Sequence, residues 1–408
     1  MVDPDLRDAA LHYGPPGIVA AIIAFMLWIR TRTVPETITA EAVLFSGNDP
    51  WYHARIVQLI VAHFPATPNF DPWSYFPYGT ARHSGFGGLY DQLIALVALM
   101  LGGGTPTPYF VDVVTAYAPA IFGTAAVIPT YIIATRLLDR WSGLLAAGLL
   151  AVASGQFLSR TVVGSADHQS AETFFGTLAV LGFLYAVETI YREQPTTADL
   201  RDRNWIVLRR PATASLIGGA AIGAYLMMWP PGIMIVFTLG IFTVLQLVRD
   251  HLDGRSTEYL AFGVGLTLAT AGMFATLHLK ELSLEATAFS LLQPIVSFGV
   301  AGGAVLLFGV ANYLDREGYD PERYPVAVAV LIVTTVSLAA IVYPASIGLL
   351  QDLVVRIYSF GLLTSPSAAT VAEIQPATLG DAWRAFGPVF YVAVFGLLLL
   401  LVRVIREN

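Results

Sequence analysis

Four side chains that titrate or carry charge lie close together between two apolar runs. They are Arg160, Asp167, His168 and Glu172, all within residues 160–175. A charge near membrane hydrocarbon costs on the order of 2.5–3.5 kcal/mol at the worst depth, so such residues are normally paired, hydrated or functional. The segment is therefore interpreted either as a hydrated loop between helices or as a site that performs chemistry.

Two more acidic residues favour a site. Asp49 follows Gly47-Asn48, and Glu373 lies in the small, polar segment 364–376. Together with Asp167 they offer carboxylate oxygens from three separate loops, with no cysteine in the chain and few histidines nearby. Hard divalent cations such as Mg2+ or Mn2+ prefer oxygen ligands.

Such a cation would act on negative charge that develops at a leaving group. Arg160, seven residues before Asp167, would assist as an electrostatic clamp. A phosphate leaving group fits this chemistry best. Because the chain has no glycine-rich phosphate loop, the activated group is predicted to arrive on a lipid carrier through the bilayer.

The composition requires membrane helices to position these residues. The chain is 56% hydrophobic and 12% charged, whereas globular domains are about 25% charged. The apolar runs lack the alternation of barrels, and only helices or closed barrels satisfy backbone hydrogen bonds in lipid. The predicted fold class is therefore an all-α polytopic membrane protein. Its first apolar run lacks a basic region before it and is interpreted as a retained helix.

Eleven apolar segments follow one another along the chain. A span needs about 20 residues, and segment 89–103, which carries Asp91 and Gln92, is predicted to lie in the membrane interface. Ten crossings remain, and Gly302-Gly303 predicts close helix packing in one of them. The segments are 16–30, 89–103, 109–136, 142–158, 173–191, 213–229, 231–248, 259–279, 287–311, 325–349 and 385–402.

Counting crossings from a cytoplasmic Met1 places three loops outside: 31–108, 159–172 and a mobile loop, 350–384. Most of the 22 basic residues then lie inside, as the positive-inside rule requires. This topology predicts a multi-pass protein of the cell membrane with its active site on the extracytoplasmic face. The arginines of 192–212 then belong to a cytoplasmic loop, and no nucleic-acid partner is predicted.

The first external loop contains two distinct motifs. Residues 52–63 have apolar side chains at helical spacing and predict a surface helix, with Pro50 in its first turn. Residues 70–79 are dense in aromatic residues and proline.

The motifs and their order resemble the oligosaccharyltransferase catalytic subunit, in its archaeal AglB-type form. The resemblance covers nearly the whole chain. It is carried by Gly47-Asn48-Asp49, by Asp167-His168-Gln169 with Arg160 and Gly164 upstream, by Thr370-Val371-Ala372-Glu373 in the mobile loop, and by Asp71-Pro72-Trp73 followed by Tyr75-Phe76-Pro77-Tyr78-Gly79.

The resemblance implies a GT-C glycosyltransferase fold. It implies inverting transfer of an oligosaccharide from dolichol phosphate or diphosphate to the asparagine of an Asn-x-Ser/Thr acceptor. It also implies a Mg2+ or Mn2+ site at Asp49 and Asp167. Where the family usually has Asp, Glu or His, this chain has Gln169, so Gln169 or Glu172 is the expected third ligand.

The family's catalytic roles are carried over to two residues. Asp49 and Glu373 would accept hydrogen bonds from the acceptor amide and free its nitrogen lone pair, because a conjugated amide is otherwise a poor nucleophile. Arg160 would stabilise the leaving group.

The chain lacks the family's soluble domain and its Trp-Trp-Asp-Tyr-Gly run. Residues 1–408 are therefore interpreted as a transmembrane catalytic domain, either part of a longer protein or a shortened relative that needs a partner. Two alternatives stay open. One is a lipid-donor glycosyltransferase with a hydroxyl acceptor, which needs a general base. The other is a transporter with an external acidic cation site, although transporters bind near the midplane on broken helices.

Overall fold

The computed structural model describes residues 4–81, 88–280, 282–284, 288–344, 347–348 and 378–407. This part of the chain is predominantly helical, which confirms the predicted fold class. A short antiparallel hairpin pairs β1 (Phe70–Asp71) with β2 (Thr80–Ala81). The α-helices are α1 Pro4–Arg30, α2 Val34–Thr37, α3 Asp49–His63, α4 Leu89–Leu101, α5 Pro108–Ala125, α6 Val127–Leu137, α7 Arg140–Ala151, α8 Gln156–Ser159, α9 Gln169–Glu193, α10 Thr197–Arg201, α11 Trp205–Met228, α12 Ile233–Leu252, α13 Glu258–His278, α14 Leu292–Arg316, α15 Arg323–Val342, α16 Leu379–Phe386 and α17 Pro388–Glu407.

Eight helical units of the described residues are long and apolar enough to cross a membrane, or nine if the bent pair α16–α17 counts as one span. The shortest has 20 residues, which at 1.5 Å per residue matches the roughly 30 Å of hydrocarbon. The chain is a multi-pass membrane protein. The eight units are Gly14–Thr37, Pro108–Leu137, Gln169–Glu193, Trp205–Met228, Pro230–Leu252, Glu258–His278, Leu292–Arg316 and Arg323–Val342.

The apolar run 142–158, predicted as a further crossing, is divided in two. Helix α7 has 12 residues, about 18 Å, which is shorter than the hydrocarbon layer. Residues 152–155 separate it from the single turn of α8, and Gly155, directly before α8, has a φ of +75°, a conformation that favours glycine. A Cβ on Gly155 would also meet the carbonyl oxygens of Arg384 and Ala385, so α16 packs directly on this break.

Glycines allow a close helix contact in the bundle core. A Cβ on Gly182 in α9 would lie 3.0 Å from the Cα of Gly218 in α11, so these helices meet at backbone distance. Such contacts are typical of membrane helices, where small residues allow close approach. The prediction for Gly302 and Gly303 is wrong, since no atom of the described residues lies within 4 Å of a Cβ placed on either.

The segment between α1 and α5 packs as a folded layer. Helix α3 contacts α4, and both contact α5. Their shared apolar cluster includes Ile56, Val57 and Ile60 from α3 with Tyr90 and Ile94 from α4. The helix predicted to lie on the surface therefore buries one side, and that side faces the candidate site.

Candidate metal and catalytic site

The loop before α9 is tied by its backbone to elements far away in sequence. The Val163 N–H donates to the carbonyl oxygen of Arg30 (2.9 Å), and the Gly164 N–H donates to that of Ala116 in α5 (3.0 Å). Gly164 has a φ of +96°, and a Cβ there would lie 2.8 Å from the Thr37 side chain. A glycine is required at this position because a side chain would meet both backbone strain and this contact.

The first and second predicted external loops meet at the same place. The Ser46 N–H donates to the carbonyl oxygen of Gly164 (3.1 Å), and the Ser46 hydroxyl lies 3.2 Å from that of Ser165. Helix α3 begins three residues later, at Asp49. The hydrogen bonds join 31–108 to 159–172, as the predicted topology requires.

Asp167 is buried among three groups that can carry positive charge. Its Oδ1 lies 2.7 Å from Nδ1 of His168 and 3.8 Å from Nε2 of His53. Its Oδ2 accepts a hydrogen bond from Nη1 of Arg160 (3.3 Å). Burial alone would raise the pKa of Asp167, but the close imidazole of His168 and the electrostatic effects of His53 and Arg160 together hold it below its usual range. Asp167 is therefore an anion at neutral pH.

His53 is held from its other side by α4. Its Nδ1 lies 2.7 Å from Oδ1 of Asp91, and each of these side chains is only 3% exposed. The ring of Tyr90 packs edge-on against the imidazole, with 5.1 Å between ring centroids. Asp91 of α4, the helix predicted to lie in the membrane interface, thus points into the site.

Three side chains have the spacing of metal ligands. One ligand atom from each of His53, Asp167 and His168 lies within 4.8 Å of the others. A carboxylate and two imidazoles are a usual donor set for divalent transition metals. The buried anion and its neighbouring nitrogens thus fit a divalent cation.

The remaining predicted site residues lie around this group. Asp49 is exposed and is not one of the three, but it precedes His53 by one turn of α3. Gln169 and Glu172 are partly buried in the first turn of α9. Glu373 lies outside the described residues. The structure therefore brings together Asp167 and Arg160 as predicted.

Sequence reasoning missed His53, His168 and Asp91. A signal was available for His53, because Asp49 and His53 are four residues apart on a predicted helix and share one face. His168 adjoins Asp167 in the quoted motif. For Asp91 the signal was weaker: a carboxylate in an apolar run that was assigned to the membrane interface.

The third predicted loop, 350–384, is described only from residue 378 onward. Its last helix, α16, is capped by the Thr378 hydroxyl and packs against α8. The following Gly387 lies beside Ser154, whose Oγ would be 2.5 Å from a Cβ on that glycine. The end of the third loop therefore lies next to the start of the second.

The aromatic segment of the first loop is anchored by one buried acid. Asp71 is fully buried, forms an ion pair with Arg55 of α3, and accepts hydrogen bonds from the Ser74 hydroxyl (2.6 Å) and the Trp73 N–H (3.1 Å). Burial alone would raise the pKa of Asp71, but these partners hold it below its usual range. The hairpin beyond it exposes its aromatic side chains, including Tyr78 at 87%.

Comparison with known proteins identifies relatives along almost the whole chain. The family model "Oligosaccharyl transferase STT3, N-terminal" matches residues 19–406. The dolichyl-monophosphooligosaccharide–protein glycotransferase AglB of Haloferax volcanii is 37% identical over 384 residues, which are 94% of this chain and 36% of that protein.

Solved structures show the same fold. AglB from Archaeoglobus fulgidus, in complex with an inhibitory peptide and a dolichol-phosphate, matches with a TM-score of 0.80 at 24% identity, over 97% of this chain and 45% of that chain. The Archaeoglobus fulgidus oligosaccharyltransferase in complex with Zn and sulfate matches with a TM-score of 0.71 at 21% identity, over 96% of this chain and 43% of that chain. This chain thus has the GT-C fold of AglB and spans less than half the length of each relative. The match over residues 19–406 places the chain in the STT3 family of oligosaccharyl transferases.

Proposed function

We propose that this chain is the transmembrane catalytic domain of an oligosaccharyltransferase. It transfers an oligosaccharide, with inversion, from a dolichol phosphate or diphosphate carrier to asparagine in Asn-x-Ser/Thr acceptors. The observation that carries the proposal is the buried cluster of Asp167, Arg160, His53 and His168 at the junction of two loops, within a membrane chain that matches the STT3 family over residues 19–406.

The cluster is suited to a phosphate leaving group. Asp167 is an anion beside Arg160 and two imidazoles, and Arg160 keeps 38% of its side chain exposed while contacting Asp167. Arg160 can therefore donate to a phosphate oxygen at the mouth of the site without leaving Asp167. Positioned donors of this kind stabilise developing charge better than water because they need no reorganisation.

The site takes a divalent cation, held by Asp167 and by imidazole nitrogens of His53 and His168, with Asp49 and either Gln169 or Glu172 as further ligands. Once bound, it would neutralise charge developing on the departing phosphate. Of Mg2+ and Mn2+, the mixed oxygen and nitrogen donors favour Mn2+, since Mg2+ prefers oxygen. The complex of an Archaeoglobus fulgidus relative with Zn and sulfate supports the binding of a divalent cation.

The acceptor amide is activated by two carboxylates. Asp49 is exposed at the first turn of α3, where it can accept a hydrogen bond from the acceptor asparagine while its helix holds His53 in the cluster. Glu373 supplies the second acceptor from the predicted third loop, 350–384. Twisting the amide out of conjugation frees the nitrogen lone pair for attack at the sugar.

The topology follows from the same proposal. The loops 31–108, 159–172 and 350–384 lie on the extracytoplasmic face of the cell membrane, where the lipid carrier reaches the site through the bilayer. The acceptor polypeptide arrives from the same side. A soluble domain, as in the longer relatives, recognises its Ser or Thr.

The test is glycosylation of an Asn-x-Thr peptide by membranes that express this chain, with crude dolichol-linked donor, with and without Mn2+. Transfer should depend on the metal and disappear in Asp49→Ala. The matched control Asp202→Ala removes an exposed acid whose ion-pair partner is its neighbour Arg201 and should keep full activity.

If no peptide is modified, a C-terminal soluble domain from a full-length relative is added to the membranes. Transfer restored by that domain supports the proposal. No transfer with the domain present, or equal transfer by Asp49→Ala, refutes it.

A further inference from the structure

We propose that Asp91 is a positioning residue for the metal site. It fixes His53 in the tautomer that carries its proton on Nδ1, so that the lone pair on Nε2 faces the cation position beside Asp167. The inference rests on the proposed function, because it assigns a role within the same metal site.

The two nitrogens of His53 have different surroundings. Nδ1 lies 2.7 Å from Oδ1 of Asp91, a normal hydrogen-bond distance. A carboxylate accepts but cannot donate, so this bond places the proton on Nδ1. Nε2 lies 3.8 Å from Oδ1 of Asp167, which is too long for a hydrogen bond. His53 therefore does not use Nε2 as a donor to Asp167.

The 3.8 Å between Nε2 of His53 and Oδ1 of Asp167 is a suitable distance between two ligands of one cation. Nitrogen and oxygen ligands lie about 2.1 Å from a small divalent cation, so two of them can be no more than about 4.2 Å apart. The separation between Nε2 of His53 and Oδ1 of Asp167 falls within this limit. A carboxylate behind a ligating imidazole also raises the basicity of the imidazole and fixes its orientation.

Burying the carboxylate of Asp91 in α4 costs free energy, and the hydrogen bond to His53 offsets that cost. Its side chain is 3% exposed, in a helix whose other buried residues are Tyr90, Ile94, Ala95 and Ala98. Burying a carboxylate is unfavourable unless it is hydrogen-bonded. The bond to Nδ1 of His53 (2.7 Å) meets this condition, and it reaches an imidazole of the three-residue cluster.

The chain offers a matched control that bonds to the same helix, α3. Asp112 of α5 accepts a hydrogen bond from Nε2 of Gln58 in α3 (2.6 Å). It joins α3 to a neighbouring helix as Asp91 does, and it is not one of the three clustered residues. Asp91→Ala and Asp112→Ala therefore remove the same kind of bond from α3, but only the first removes one that reaches a proposed ligand.

The experiment measures Mn2+ binding to the purified chain and the nitrogen couplings of the bound ion by pulsed electron paramagnetic resonance. The wild-type chain should show imidazole nitrogen coupling. Asp91→Ala should raise the Kd for Mn2+ by about 10- to 100-fold, as removal of a residue behind a metal ligand usually does. Asp112→Ala should leave both readouts unchanged.

A double substitution separates positioning from a general effect on folding. If Asp91 acts through His53, then adding Asp91→Ala to His53→Ala should raise the Kd no further. An equal additional loss in that background would overturn the inference, as would an unchanged Kd and unchanged nitrogen coupling in Asp91→Ala alone.

Asp91→Asn covers the case in which Asp91→Ala does not fold. Its amide can donate to Nδ1 as well as accept, so the wrong tautomer of His53 becomes accessible, and the Kd should again rise. Unchanged binding in Asp91→Asn overturns the inference. If the wild-type chain binds no Mn2+, the metal part of the proposed function fails instead, so the two failures are distinguishable.

Discussion

The anchor of the aromatic hairpin gives a prediction whose size follows from its contacts. Asp71→Ala removes the acceptor for Arg55, Ser74 and Trp73 at once. A hydrogen bond to a charged group contributes about 1.5–3 kcal/mol, and Arg55, at 28% exposure, is partly rehydrated after the change. The expected loss in local stability is therefore about 3 kcal/mol, or roughly 150-fold in the opening equilibrium of the hairpin.

Hydrogen exchange measured by mass spectrometry on peptides that cover residues 64–81 tests this value, because exchange follows local opening. Asp71→Asn keeps an acceptor but loses the charge, so its exchange should lie between those of wild type and alanine variant. Lowering the pH of the wild-type protein should also increase exchange of the hairpin, as Asp71→Ala does. Since the pKa of Asp71 is lowered in the folded protein, its stabilisation is complete above about pH 3.9 and is lost as the pH falls through the folded value. Unchanged exchange in Asp71→Ala would refute the view that this acid anchors the hairpin.

Three other substitutions test the site and its frame. Glu373→Gln should lower turnover more than donor binding in steady-state assays, because the interaction with the amide is made at the reacting centre; equal losses would argue against amide activation. Gln169→His should lower the Kd for Mn2+, since imidazole is a stronger ligand than an amide oxygen for this ion, and unchanged titrations would remove position 169 from the ligand set. Gly123→Ala should lower the thermal midpoint, because the new Cβ would lie 2.5 Å from Thr161. The expected loss in the free energy of unfolding is about 1–3 kcal/mol. Gly148→Ala, with open space around the new methyl group, is the control that should not lower the midpoint.

Much of the architecture was predictable because it follows from composition and local pattern. Apolar runs of about 20 residues predict spans, and the spans fix which loops can meet. The pairing of Arg160 with Asp167 was also predictable, since the two residues lie in one short loop. These features need no knowledge of how distant helices pack.

Most of the unpredicted features depend on contacts between distant segments. Gly155 interrupts an apolar run because α16, more than 200 positions later in the chain, packs on its backbone. The bond between His53 and Asp91 joins residues 38 positions apart and depends on how α3 is set against α4. Adjacent glycines in α14 predicted a close contact that is instead made by Gly182 and Gly218, one from each of two helices.

The backbone ties of the second loop have a consequence for how the protein is made. Every described member of the cluster, from His53 to His168, lies in the first 168 of 408 residues, and the long-range backbone bonds of the loop to Arg30, Ser46 and Ala116 all reach partners that precede it. Because synthesis proceeds from the N-terminus and early segments fold first, we expect these side chains to come together while most of the spans are still untranslated. The helices synthesised later would then pack around residues that are already in contact.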